Sequence, residues 1–175
     1  EGNPAYTEDE WHRVLDGFGI MGRLARDQGL SLLVHHHMGT GIQSSSEIDR
    51  LMDGTDPDRV GLLFDTGHLA FAGEDPLAVL RRHGSRIRHV HLKDIRRPVL
   101  ESVRARHMSF LDGVRAGVFT VPGDGDLDFR PIVDALAAQG YRGWMVVEAE
   151  QDPSRANPLE YALKARRYLR QVSGL

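Results

Sequence analysis

The chain has 175 residues, a formal net charge of −3 and no cysteine. That length supports one domain with a real core, the charge gives no general pull toward nucleic acid or a membrane surface, and the missing thiols exclude disulfides, cysteine-ligated zinc and a cysteine nucleophile. No apolar run approaches the ~20 residues of a membrane span, and no secretory leader pattern is visible, so the cytoplasm is the expected location.

In chain order, Thr7-Glu8-Asp9-Glu10 is a capping-box pattern. Trp11, Val14, Leu15, Phe18, Met21 and Ala25 then recur at helical spacing, with Gly29 as the stop. Gly17, Gly19 and Gly22 inside that run weaken the helix or mark close packing. Leu30 to His36 reads as a strand that ends in His35-His36-His37. Ser44-Ser45-Ser46-Glu47 is a second capping box, and Ile48, Leu51 and Met52 share one face of its helix, closed by Gly54 and Pro57. Val60 to Phe64 is a near-continuous apolar strand, and Asp65-Thr66-Gly67-His68 reads as the loop that follows it. Asp75-Pro76 starts a helix with proline at its first position, and Gly84 ends it. Ile87 to Leu92 is the third strand, running into Lys93-Asp94.

A long basic connection from 95 to 117 follows. It carries Arg96, Arg97, Arg104, Arg106 and Arg115, with a short helix around Phe110, Leu111 and Val114. It reads either as a lid over a site or as a solvated segment. Val121 to Asp126 is a turn-rich loop, expected to be a structural turn rather than a ligand site, although Asp124 could reach the mouth. Asp128 caps a helix through Ile132, Val133, Leu136 and Ala137, stopped by Gly140. Trp144 to Val147 is the fourth strand, ending in Glu148-Ala149-Glu150, and Asn157-Pro158 opens a last helix through Tyr168 and Leu169.

Helices alternating with apolar strands predict a parallel sheet, the pattern of a β/α barrel. No Gly-x-Gly-x-x-Gly or Walker sequence follows a strand, which argues against a nucleotide site. A full barrel needs eight strands and ~250 residues. Only four strands are read here, and the chain begins Glu1-Gly2-Asn3-Pro4 without Met. The expectation is one domain over residues 1–175 that forms the C-terminal half of a (β/α)8 barrel, with the other half upstream. Two open sheet edges would make such a half prone to aggregate or to pair with a second copy.

Ligands of parallel α/β folds bind at the carboxyl ends of strands. The four strand ends here carry His35/His37, Asp65/His68, His89/His91 and Glu148/Glu150. Residues two apart in a strand face the same way, so a barrel would gather these groups at one mouth. Histidine and carboxylate together suit Mn, Co, Fe or Zn with a position left open for substrate. Each histidine alone is more often an ordinary surface or core residue. His36 is expected to face the opposite way and pack under helices, and His12, His83 and His107 to lie on the surface. Lys93 could simply pair with Asp94 at the surface.

Five stretches carry a resemblance: His35-His36-His37-Met38-Gly39-Thr40, Phe64-Asp65-Thr66-Gly67-His68-Leu69, His89-Val90-His91-Leu92-Lys93-Asp94, Phe119 to Gly125 and Val146 to Pro153. Together they resemble the xylose-isomerase-like barrel superfamily and, within it, are most similar to the inosose dehydratase family of inositol catabolism. The superfamily commonly holds one metal with two Glu, one Asp and one His. By that resemblance Asp65, His91 and Glu148 take three places. The fourth, usually Glu, falls in the triple-histidine run, with His35 ahead of His37. His68 would contact substrate, or a second metal as in the nuclease branch.

The resemblance implies loss of water from 2-keto-myo-inositol, a small polyol ketone, to give a cyclohexane dione. His37, His68, Lys93 and Glu150 are the acid/base groups, with Glu150 or Lys93 as base and a histidine as acid. Mn or Co is favoured, with Zn or Fe behind them. Three rivals remain: a keto-sugar isomerase or epimerase using the same ligands, an endonuclease at abasic DNA sites, and an inactive barrel fragment. The net charge counts against the endonuclease, so no nucleic-acid or membrane partner is expected, and homo-oligomer formation is left open.

Overall fold

The computed structural model describes residues 4–174. Glu1, Gly2 and Asn3, on which the fragment expectation partly rests, lie outside them. Local sequence signals set most boundaries. Thr7 and Glu10 form the expected capping box of α1 (Glu8–Asp27), and Ser44 and Glu47 that of α2 (Ser45–Asp53). Each satisfies two backbone N–H groups that the first helical turn leaves without partners. Asp75 and Asn157 cap α4 (Pro76–His83) and α8 (Pro158–Ser173), each followed by proline. Among the glycines of α1, Gly22 marks a close approach: a Cβ there would lie 2.6 Å from the Arg59 carbonyl oxygen, whereas Gly17 and Gly19 face open space.

Four strands make one parallel sheet: β1 (Leu32–His35), β2 (Val60–Asp65), β3 (Ile87–Leu92) and β6 (Met145–Val147), in the order β1-β2-β3-β6. The expected parallel sheet is thus observed, with β1 and β6 at its edges. Val60, Leu62, Phe64, Val90 and Leu92 are fully buried beneath helices that supply Ile48, Leu51, Leu80 and Leu136. The β6 edge is open, and Trp144 beside it is 79% exposed.

The segment from 94 to 120 is more ordered than its sequence suggested. Asp94–Ile95 (β4) pairs antiparallel with Phe119–Thr120 (β5). Between them lie α5 (Arg97–Ala105) and α6 (Phe110–Ala116). Leu100, Ile95, Val118 and Phe119 form a second, smaller core there. A further helix, α7 (Arg130–Ala138), returns the chain toward β6.

Two expectations are corrected here. Asp65-Thr66-Gly67-His68 is not a loop. The strand passes directly into a helix, α3 (Thr66–Ala72), because the Asp65 side chain caps it. His83 is not a surface residue: its Nε2 lies 2.6 Å from Asp49 on α2, and it is 6% exposed. Its partner sits 34 residues earlier in the chain, so no local pattern could report the pairing. His12 and His107 are exposed, as expected.

Candidate metal centre

Asp65 is the residue on which the site turns. Its Oδ1 accepts the His68 backbone N–H at 2.9 Å and thereby starts α3. That fixes the carboxylate plane and leaves Oδ2 facing across the strand ends. The Asp65 backbone N–H is donated to His36 Nε2 at 3.1 Å. His36 is therefore not plain packing under a helix, as its position suggested; it is fully buried and serves as a neutral acceptor. Burial pushes its imidazole down to about 3.

Around Asp65 Oδ2 the structure gathers His35, His91 and Glu148, whose ligand atoms all lie within 4.8 Å of one another. His35 Nε2 is 3.4 Å from Asp65 Oδ2. His91 Nδ1 is 3.6 Å from Asp65 Oδ2 and 2.7 Å from Glu148 Oε2. The strand register explains the meeting, since Asp65 stands opposite His91 across β2 and β3. Glu148 follows β6, and its N–H reaches the Leu92 carbonyl.

His35 Nε2, Asp65 Oδ2, His91 Nδ1 and Glu148 Oε2 are all buried, and none has a partner at hydrogen-bonding geometry. Orphaned buried polar atoms are costly and rare. Four of them, one from each residue and aimed at one point, fit a divalent metal ion: two imidazole nitrogens and two carboxylate oxygens. The electrostatics agree. The Asp65 and Glu148 carboxylates raise the His91 imidazole to about 9 despite its partial burial. His91, with help from Lys93, holds Glu148 down to about 2 against burial. Burial works to raise Asp65, but His35, His91 and Lys93 outweigh it and hold the carboxyl well below its usual range.

A second group lies next to the first. His37, His68 and Glu150 also bring their ligand atoms within 4.8 Å of one another. The His37 ring stands 3.8 Å from that of His68, and Phe110 of α6 packs against both. Met38's carbonyl lies 2.8 Å from His37 Nδ1 and can only accept, so that nitrogen carries a proton and leaves Nε2 for other partners. Burial foremost pushes His68 down to about 2. Glu150 has a φ of 42°, a left-handed conformation uncommon outside glycine and concentrated at functional sites.

Lys93 joins the two groups. It is fully buried, and it is not paired with Asp94 at the surface. Its Nζ lies 2.6 Å from Glu150 Oε2, 3.2 Å from Glu148 Oε2 and 3.7 Å from Asp65 Oδ2. His68 Nε2 is 3.1 Å away, and the Phe119 ring lies under the ammonium. The two middle residues of Asp65-Thr66-Gly67-His68 hold this lysine. Thr66 Oγ1 donates to the Lys93 carbonyl at 2.7 Å and accepts its N–H at 2.9 Å. Gly67 makes room for the stem, since a Cβ there would come within 2.5 Å of Lys93 Cγ.

Asp94 has its own task, which the sequence did not disclose. It accepts N–H groups from Ile95, Gly123, Gly125 and Leu127, and so ties down the turn-rich loop. In that loop Asp124 pairs with Arg96, Thr120 and Lys164 and makes a structural turn. The basic connection covers the second group with Phe110, while Arg96 and Arg104 bind Gly117 and Phe71 carbonyls. Arg97, Arg106 and Arg115 are exposed. His89 lies beside His91 but belongs to neither donor group.

Parallel strands alternate with helices, and a two-histidine, two-carboxylate donor set that could hold a divalent ion lies at the strands' carboxyl ends. The chain belongs to the xylose isomerase-like TIM barrel family, whose model matches residues 1–172. It is 61% identical over 172 residues to an inosose dehydratase of Geobacillus thermodenitrificans (strain NG80-2), covering 98% of this chain and 58% of that protein. It is 54% identical over 175 residues to an inosose dehydratase of Clostridium tetani (strain Massachusetts / E88), covering 100% of this chain and 59% of that one. The chain thus spans less than two thirds of these relatives' length. The fold is similar to that of the IOLI protein solved with a zinc atom, with a TM-score of 0.72 at 18% identity over 97% of this chain and 59% of that one.

Proposed function

We propose that this chain is the C-terminal half of a (β/α)8 barrel and carries the metal centre of a cytoplasmic hydro-lyase. The substrate on this reading is 2-keto-myo-inositol, which loses water to give a trihydroxycyclohexane dione. The observation that carries the site is the set of four orphaned, converging atoms of His35, Asp65, His91 and Glu148. The observation that carries the substrate is the identity, above one half over nearly the whole chain, to two inosose dehydratases.

His35, Asp65, His91 and Glu148 would hold the ion, Mn or Co by preference. When bound, a divalent ion acts as a Lewis acid on a ketone oxygen and stabilises the charge that develops there. The chain's own groups move the protons. The Lys93 ammonium, against three carboxylates, is a donor rather than a base. Glu150 takes the proton from the carbon next to the ketone. Lys93 gives a proton to the departing β-hydroxyl, which leaves as water. The 2.6 Å contact between Glu150 and Lys93 returns the proton from base to donor. Protons then balance over one turnover, and the unsaturated product tautomerises to the dione. His37 Nε2 presents its lone pair to substrate hydroxyls, and Phe110 and Phe119 keep water from the proton-transfer pair.

The test uses the full-length protein stripped of metal, with scyllo-inosose and Mn²⁺ or Co²⁺, following dione absorbance. Metal-dependent dione formation that is lost in Asp65→Asn and Glu148→Gln supports the proposal. Metal-dependent interconversion of a keto-sugar without dione would move the activity to isomerisation. Absence of metal binding would remove the centre altogether.

A further inference from the structure

The second donor group poses a question of its own. His37, His68 and Glu150 offer two imidazoles and a carboxylate within 4.8 Å. Three protein ligands with an open position suffice for a divalent ion. By donor type and spacing, this trio would take a second metal beside the first.

A cation is already there. Lys93 Nζ sits 2.6 Å from Glu150 Oε2 and 3.1 Å from His68 Nε2, and also faces Glu148 and Asp65 of the first group. It cannot readily swing aside. Its stem runs beneath Gly67, its backbone is clasped by Thr66, and it is fully buried over the Phe119 ring. A divalent ion held by Glu150 and His68 would stand against a fixed ammonium and be repelled by it. The same ammonium supplies part of the positive charge that the three carboxylates require.

We infer that Lys93 is a built-in replacement for a second metal ion: it keeps the His37/His68/Glu150 group free of metal and limits the site to one divalent ion. The inference rests on the metal-centre reading above, and it assigns Lys93 a role separate from proton donation. Replacing the ammonium by a neutral side chain of similar length turns the trio into a second divalent site with N, N, O ligands. The four strand ends thus carry two donor groups, one of them already paired with an ammonium.

The experiment counts metal. Full-length apo-protein is loaded with excess Zn²⁺ or Mn²⁺, desalted and analysed for ions per chain, with circular dichroism as the check on folding. The expected result is one ion for the unaltered protein, one for Lys93→Arg, two for Lys93→Met, and one again for Lys93→Met combined with His37→Ala. Mn²⁺ gives a second readout: an isolated-ion paramagnetic spectrum in the unaltered protein and a spin-coupled one in Lys93→Met. If Lys93→Met does not fold, Lys93→Gln takes its place. Two ions in the unaltered protein overturn the inference, as does one ion in a folded Lys93→Met or Lys93→Gln. No ion in the unaltered protein overturns the metal-centre reading and this inference with it, which distinguishes the two failures.

Discussion

The four strand ends supply two layers of side chains, and the layers differ in what fills them. The first is His35, Asp65, His91 and Glu148. Two or three residues further along each segment come His37, His68, Lys93 and Glu150. In the first layer every inward ligand atom lacks a hydrogen bond. In the second, an ammonium sits among the acceptors and binds them. The same repeat of residue types therefore makes a four-donor set that could hold a metal in one layer and a three-donor set already paired with an ammonium in the other, the ammonium also reaching Glu148 of the first layer at 3.2 Å. One lysine in place of a fourth donor makes the difference. On the proposed function it also divides the labour, with metal binding in the first layer and proton movement in the second.

Breaking the first layer gives the largest effect. Asp65→Asn removes the one ligand that is fixed from both sides, by the His68 N–H on its side chain and by His36 on its backbone. Metal retention after desalting and dione formation should both be abolished, while an Asp65→Asn protein that still retains stoichiometric metal would sever Asp65 from the centre. Breaking the second layer should leave metal in place. Glu150→Gln keeps the shape but removes the proton acceptor, and kcat should fall by roughly 10²–10⁴-fold with one ion still bound. Equal loss of metal and activity would merge the two layers into one. Between them stands Gly67→Ala, which drives a methyl group into the Lys93 stem. Overpacking of this kind costs about 1–3 kcal/mol, so denaturant unfolding should shift by that amount. An unchanged midpoint would mean that the lysine is not held as tightly as its contacts imply.

How much of this could be read from the sequence depends on how local each cause is. The capping boxes at Thr7 and Ser44 and the Asp75-Pro76 and Asn157-Pro158 starts were legible, because each is a bond between residues within three positions of one another. The parallel sheet was legible from apolar runs bounded by glycine and proline. The eight candidate residues were legible as one cluster because all of them sit at carboxyl ends of strands. The helix at 97–105 was missed although Pro98, Leu100 and Val103 carried its signal; the arginines around them masked the amphipathic spacing. Gly67 and Thr66 were opaque for another reason. Asp-Thr-Gly-His reads as a turn, and what makes it a helix start is an Asp65 carboxylate whose plane is set by the sheet. Likewise, the strand-end position of Lys93 favoured a site role over a surface pair with Asp94, but not its particular partners. Only the fold places Asp94 under one loop and Lys93 among carboxylates from two other segments.

The smallest effect tests why the first layer is so rigid. His36 must stay neutral to accept the Asp65 N–H, and burial holds it at about 3, well below the 6.5 of an unhindered imidazole. The unfolded chain therefore binds a proton at this residue below pH 6.5 that the folded chain refuses. Stability must fall as pH drops from 6.5 toward 3, at about 1.4 kcal/mol per pH unit for one such group. His91 has the opposite sign. Raised to about 9, it stabilises the metal-free protein below pH 6.5, and that contribution fades as pH rises through 9. The summed contribution of these two groups is greatest near pH 6.5, and His68, pushed down to about 2 chiefly by burial, adds to the loss below it. His36→Gln keeps an acceptor for the Asp65 N–H and removes the titration. Denaturant unfolding of the metal-free protein at pH 7 and pH 5 should show the loss between these values reduced by about 2 kcal/mol in His36→Gln. An identical loss in both proteins would mean that His36 is protonated in the folded state, and that the Asp65 backbone is held by something other than a neutral imidazole.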